Sequence, residues 1–215
     1  SLGRLKNESS VLASYSFPEF DAGLRSRESM DTLLGIELET YREVAAYYYR
    51  DADEEETVQR ADPTDEGTVA LQFAAHWESE YGQRAWSSSS DRVIPPIYVS
   101  SKYAFLGFVY PVEREERFAG ALVVVIDLHE LVDSYAAPMA TERSGNVVVM
   151  DRRLRAIWSA APEKRGLPGQ YIFDDVKEAD LSALRDAVEE SDKGTLLLRG
   201  ADGDERRSRL TAWSS

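Results

Sequence analysis

Apolar residues in this chain recur in two rhythms. From residue 18 to 45 the spacing is helical: Leu24, Leu34, Leu38 and Tyr41 fall near one face, with Arg25, Arg27, Glu28 and Glu39 mostly elsewhere. Pro18 suits the first turn of such a helix, while Gly35 weakens it. The preceding NESSVLASYSF reads as a separate helical piece. EVAAYYYRDADEEETVQRADP reads as a hairpin, with a tyrosine-rich strand at 43–50, the acidic turn DADEEE, the return strand TVQRA and Pro63 closing it. VALQFAAHWESEYGQ (69–83) returns to a helical period through Val69, Phe73, His76/Trp77 and Tyr81, and the serines at 87–90 break it. Three extended stretches follow. They are VIPPIYVSS, KYAFLGFVYPV running to Pro111, and, after the charged turn EREER, the strand within RFAGALVVVIDLHEL. Strands in series with short turns predict an antiparallel meander.

The last of these strands has six apolar residues, Ala121 to Ile126, followed by one carboxylate, Asp127. Such a run is far below the roughly 18–20 residues of a membrane-spanning helix. Strand alternation places Ala121, Val123 and Val125 on the same face as Asp127. Residues 130–143 read as a short helix and connector. A second set of elements begins at Gly145: a hairpin turning at Arg152-Arg153, a short extended GQYIF, an amphipathic helix with Asp180 as its cap and Gly194 as its end, and a final hairpin. The pattern predicts an α+β chain. It comprises an N-terminal helical region (1–42), a first lobe (43–135) and a second, smaller lobe (136–215), each lobe carrying an antiparallel sheet.

Composition narrows the function classes. The 215 residues are 43% hydrophobic and 10% aromatic, enough for a sizeable core. Thirty-nine acidic against 25 basic residues leave a formal charge of −14, which disfavours nucleic acid and anionic lipid as partners. With no cysteine, disulfides, thiol nucleophiles and thiolate metal sites are excluded. The chain begins at Ser1-Leu2-Gly3 and stops at Ser215 just after a predicted strand, which reads as a piece of something longer.

Two motifs in order carry a family resemblance. F-x-G-x-L-V-V-x-I-D-L-x-x-L spans Phe118 to Leu131, and G-N-V-V-V-M-D-x-x-L-R-A-I-W-S spans Gly145 to Ser159. Tyr110-Pro111-Val112 precedes the first, and Leu210-Thr211-Ala212-Trp213-Ser214 closes the chain. Together these resemble the double Cache (PDC, extracytoplasmic PAS-like) sensor domains over about residues 18–215. The resemblance implies a long N-terminal helix and two tandem PAS-like lobes, membrane-distal and membrane-proximal. It implies the extracytoplasmic sensing part of a transmembrane receptor, first of all a histidine kinase, with a chemoreceptor or diguanylate cyclase as alternatives. The ligand implied is an amino acid, carboxylate or amine held in the distal lobe. Homodimerisation through the N-terminal helix and membrane contact only through flanking helices are also implied, with no cofactor.

The amino-acid-binding members of that family carry an Arg-x-Trp pair, a tyrosine in the next strand and the aspartate of the I-D strand. The corresponding residues here are Arg84, Trp86, Tyr98 and Asp127, with Lys102, Tyr103 and Tyr110 as further candidate lining. Arginine grips a carboxylate through two parallel hydrogen bonds, aromatics wall the pocket, and aspartate pairs with an ammonium. Ser87 and Ser100 stand where the family has a second aromatic and an acid. Each residue has a structural alternative: Arg84 as a surface side chain at a helix end, Trp86 and Tyr98 as packing, and Asp127 as the cap of a helix beginning near His129. A ligand-free scaffold or dimerisation module is the corresponding alternative for the whole fold.

Enzymatic motifs are sparse. The chain has no P-loop, G-x-S-x-G or H-E-x-x-H, and its two histidines, His76 and His129, read as helix positions. DADEEETVQRAD fails as a calcium loop, with Glu56 in place of the required glycine and Asp62 in place of the final glutamate. No metal site and no catalytic residue is predicted.

Overall fold

The computed structural model describes residues 2–53, 57–87, 92–98, 103–134, 148–150, 156–159, 178–190, 193–198 and 209–214. The chain divides into two compact units, residues 1–135 and 136–215.

The first unit is α+β. Helix α1 (Leu2–Val11) runs through a π-helical turn (Leu12–Ser16) into α2 (Phe17–Asp21), and α3 (Arg27–Thr40) follows. The single helix expected over 18–45 is therefore broken. Gly23 takes a left-handed φ of +70° that lets the chain leave α2, and the Ser26 side chain caps α3 by accepting from the Ser29 N–H at 3.2 Å. Leu24, assigned by periodicity to the apolar face, stands in this break and is 81% exposed. Gly35, which weakened the helix on paper, is tolerated inside α3.

Strands β1 (Val44–Asp51) and β2 (Thr57–Ala61) form the expected hairpin. Helix α4 (Asp65–Ser87) is longer than its periodic core suggested. Strands β3 (Arg92–Tyr98), β4 (Ala104–Arg114) and β5 (Arg117–Asp127) make the meander, and helix α5 covers 128–134. The sheet is antiparallel throughout, in the order β2-β1-β5-β4-β3. β5 is thus central, which explains its unbroken apolar run. Pro95 and Pro96 lie in edge strand β3, where the register shifts between Ile94 and Ile97. Pro111 does not end β4, which continues to Arg114. It lies beyond Val109, where the described pairing with β3 stops, so among the described residues one side of β4 has no strand neighbour there to require an N–H.

The two faces of this sheet are covered differently. α4 packs on one face against Ala46, Tyr48, Phe105, Val109, Ala121, Val123 and Val125. Among the described residues Trp77 is the largest fully buried side chain, and it lies over Gly107, where a Cβ would come within 2.6 Å of the indole ring. The N-terminal helices contact the other face. Phe17 stacks on Tyr49 with centroids 4.4 Å apart, and the Tyr110 hydroxyl donates to the Lys6 carbonyl at 3.2 Å.

In the second unit, β6 (Val148–Met150) pairs with β7 (Ala156–Ser159), and β8 (Lys193–Leu198) pairs with β9 (Arg209–Ser214), both antiparallel. Helix α6 (Glu178–Glu190) lies between them in sequence. Its start before Asp180 puts that residue inside the first turn, so it is not the cap, and Gly194 belongs to β8 instead of ending the helix. The predicted GQYIF segment lies outside the described residues.

Candidate functional site

One end of the α4 face gathers carboxyl groups. α4 starts where the Thr64 hydroxyl accepts from the Gly67 N–H at 3.2 Å, placing Glu66 in the first turn. β5 brings Asp127 to the same place, because it shares the α4-facing side of the strand with Val123 and Val125. Asp127 is held on several sides. It lies opposite Phe105 in the ladder, its N–H donates to the Glu43 carbonyl at 2.8 Å, and its Oδ1 accepts from the His129 N–H at 2.7 Å. The last bond caps α5. The Glu66 carboxyl is close enough to feel the Asp127 charge. Burial and the neighbouring acids Asp127, Glu130 and Asp62 push the Glu66 pKa up to about 8. Tyr103, half-buried, lies parallel to Phe105 at 6.2 Å and completes the aromatic side of this end. An acid pair beside an aromatic edge favours hydrogen-bond donors and positive charge.

Arg84 and Trp86 stand at the other end. Both are in the last turn of α4, 18 and 20 residues beyond Glu66, a distance of about 27–30 Å along a helix. Arg84 is exposed, 3.9 Å from Glu80, with its guanidinium 5.9 Å from the Tyr81 ring centre. Trp86 is half-buried against Phe118 at 6.2 Å, near the start of β5. From Phe118 to Asp127 is nine strand steps, about 30 Å. One small molecule cannot bridge these ends, so the fold does not bring the expected Arg84–Trp86–Asp127 constellation together.

Tyr110 is separated in another way. It is buried on the opposite face of the sheet, bonded to the N-terminal helix, because strand alternation puts it out of phase with Phe105 and Val109. Tyr98 pairs with Ala104 in the ladder, at the same end as Tyr103. Lys102 lies outside the described residues.

Other charged groups emerge from the structure alone. Glu66 reads in sequence as an ordinary acid in a helix's first turn; only the fold sets it on Asp127. Arg50 of β1 and Glu78 of α4 form a largely buried ion pair at 2.6 Å. Alternation along β1 puts Arg50 on the α4 side, but its partner lies in another element, so sequence carried no signal for the pair. A groove of about 340 Å³ lies between α3 and β2, lined by Arg27, Glu28, Asp31, Val58 and Gln59, and includes none of the residues predicted from sequence.

No family model matches the sequence, and no curated protein matches it. Solved structures do match it in fold. "Methyl-accepting Chemotaxis protein X" superposes with a TM-score of 0.57 at 15% identity, covering 97% of this chain and 82% of that one. The extracellular domain of rpHK1S-Z16, a protein assigned as a histidine kinase, gives 0.55 at 16% identity, covering 99% and 89%. The ligand-binding domain of the Campylobacter jejuni chemoreceptor Tlp3, solved with L-norvaline, gives 0.55 at 12% identity, covering 97% and 78%. With its helical N-terminus, its five-stranded antiparallel sheet and this likeness along almost the whole chain, the protein has the fold of the Cache-type (PDC) sensor domains.

Proposed function

We propose that this chain is the extracytoplasmic small-molecule-sensing part of a transmembrane signalling receptor, a histidine kinase in the first instance. The carrying observation is the fold likeness over 97% or more of the chain to a methyl-accepting chemotaxis protein and to the extracellular domain of a protein assigned as a histidine kinase. In this reading residues 43–135 are the membrane-distal lobe and 136–215 the membrane-proximal one. The ligand site is the Glu66–Tyr103–Asp127 end of the α4 face; Lys102, a candidate from sequence, lies outside the described residues. Arg84 is too far away to hold a carboxylate there, so an amine fits this end better than a ligand whose recognition needs that arginine. Ligand binding would shift the balance between two arrangements of the helices flanking the sheet.

A thermal-shift screen of amines, amino acids and carboxylates tests the proposal. A true ligand raises the melting temperature saturably, because it binds only the folded state. If no compound of any of the three classes does so, small-molecule sensing fails.

A second reading, a ligand-free scaffold or dimerisation module, has its own support. Trp77 and Phe105 fill the space between α4 and the sheet, Asp127 is already engaged by the His129 N–H, and Val11 and Tyr15 are exposed on the N-terminal helices. Dimerisation in solution without any thermal shift would favour it.

A further inference from the structure

The groove between α3 and β2 shares no residue with the acid end of the α4 face. Val58, only 2% exposed, gives it an apolar lining, and Arg27, Glu28, Asp31 and Gln59 supply its polar groups. A space of about 340 Å³ with an apolar patch and a few convergent polar groups has the make-up of a small-molecule site.

The charges of the groove are set by a choice of partner. Arg27 and Asp31 stand four residues apart on α3, the spacing at which opposite charges on a helix meet. Asp31 is held instead by Arg60 of β2, whose Nη1 lies 3.2 Å from its Oδ2. The Arg60 guanidinium also lies against Gly35, with Nη2 3.7 Å from where a Cβ would stand. Among the described residues the side chains of Arg27, Glu28 and Gln59 have no ion pair or hydrogen bond. One guanidinium, one carboxylate and one amide are thus left around an apolar patch.

These groups select by charge. A plain anion is repelled by Glu28 and Asp31 and by the net charge of −14, and a plain cation leaves Arg27 unmatched. A molecule carrying both charges, and no net charge, meets neither objection. Arg27 and Asp31 lie about 6 Å apart along the helix axis. The two charges of 5-aminopentanoate span that distance, and those of an α-amino acid do not.

We propose that the α3–β2 groove binds a short ω-amino carboxylate. Its carboxylate is gripped by Arg27, with the Gln59 amide as a second donor. Its ammonium is taken by Glu28 and Asp31, since a carboxylate already paired with one arginine still has lone pairs to offer. Its methylenes cover Val58. The site stands apart from the acid end of the α4 face and does not rest on ligand sensing there.

The test is titration of the isotope-labelled 215-residue chain with 5-aminopentanoate, followed through backbone amide shifts. Saturable shifts are expected at Arg27, Glu28, Asp31, Val58 and Gln59. Pentanoate and pentylamine should each bind at least about tenfold more weakly, because each lacks one charged hydrogen-bonding end. Arg27→Ala should weaken 5-aminopentanoate about tenfold and leave pentylamine unchanged, a pattern that loss of folding cannot produce. The proposal is overturned if no saturable shift occurs at these residues, if either single-charge probe binds as tightly as the zwitterion, or if Arg27→Ala keeps full affinity. If Arg27→Ala does not fold, Glu28→Gln decides: weaker binding of 5-aminopentanoate with pentanoate no weaker supports the site, and unchanged binding of both overturns it. Shifts confined to Tyr103, Asp127 and their neighbours overturn the groove site while supporting ligand sensing at the acid end, so the two proposals fail separately.

Discussion

The two ends of α4 carry similar chemistry in sequence and play different parts in the fold. At the N-terminal end, Glu66 and Asp127 are drawn into the seam between helix and sheet, and Asp127 accepts from the His129 N–H. At the C-terminal end, Arg84 extends into solvent beside Glu80, and Trp86 lies against Phe118. A charge near an apolar strand gains a defined role only where the fold also supplies hydrogen bonds and excludes water. In water the same charge is screened and contributes little.

Substitutions at and between these ends sharpen the contrast. The largest effect is expected midway, at Trp77, which joins α4 to the sheet over Gly107. Trp77→Ala should cost about 3–5 kcal/mol in denaturant unfolding, the range for emptying a large aromatic site in a core. If it costs under about 1 kcal/mol, α4 is not held by this seam and the two ends are mechanically independent. Asp127→Ala comes next. It removes the α5 cap, at a cost of about 1–2 kcal/mol at neutral pH. Asp127→Asn should restore most of that, because asparagine also caps helices. Equal losses for the two variants would show that charge, and not the cap, governs this end. The smallest effect is expected for Arg84→Ala, at most about 0.5 kcal/mol for an exposed pair one helical turn apart. It should also leave the affinity of any ligand found in the screen unchanged. A loss of affinity above tenfold, measured calorimetrically, would mean that ligand binding reaches the C-terminal end and would overturn the assignment of the site to the acid end.

Much of the local structure was legible in the chain. The helix around Val69–Tyr81, the hairpin at 43–62 and the three-strand meander each announce themselves by period and by turn chemistry. The face occupied by Asp127 followed from simple alternation along β5, and its cap on the His129 N–H was one of two readings open for it. The break at Gly23 was harder to see. The amphipathic period continues on both sides of it, and only the left-handed glycine followed by the Ser26 cap shows that two helices meet there.

Sequence by itself determined what each segment would become, since backbone preferences and the period of apolar residues act over a few residues. It determined that a charge would end the β5 strand, and on which face. The tertiary structure decided which charges meet. The antiparallel order β2-β1-β5-β4-β3 and the direction of α4 put Glu66 on Asp127 and leave Arg84 about 27 Å away, although Arg84 is nearer to Asp127 in sequence. Distance along the chain does not encode distance in the fold, because a 23-residue helix lying on a sheet carries its two ends to opposite sides of the unit. The raised pKa of Glu66 is likewise a property of that placement, as its burial and its acidic neighbours arise only when helix and strand are packed together.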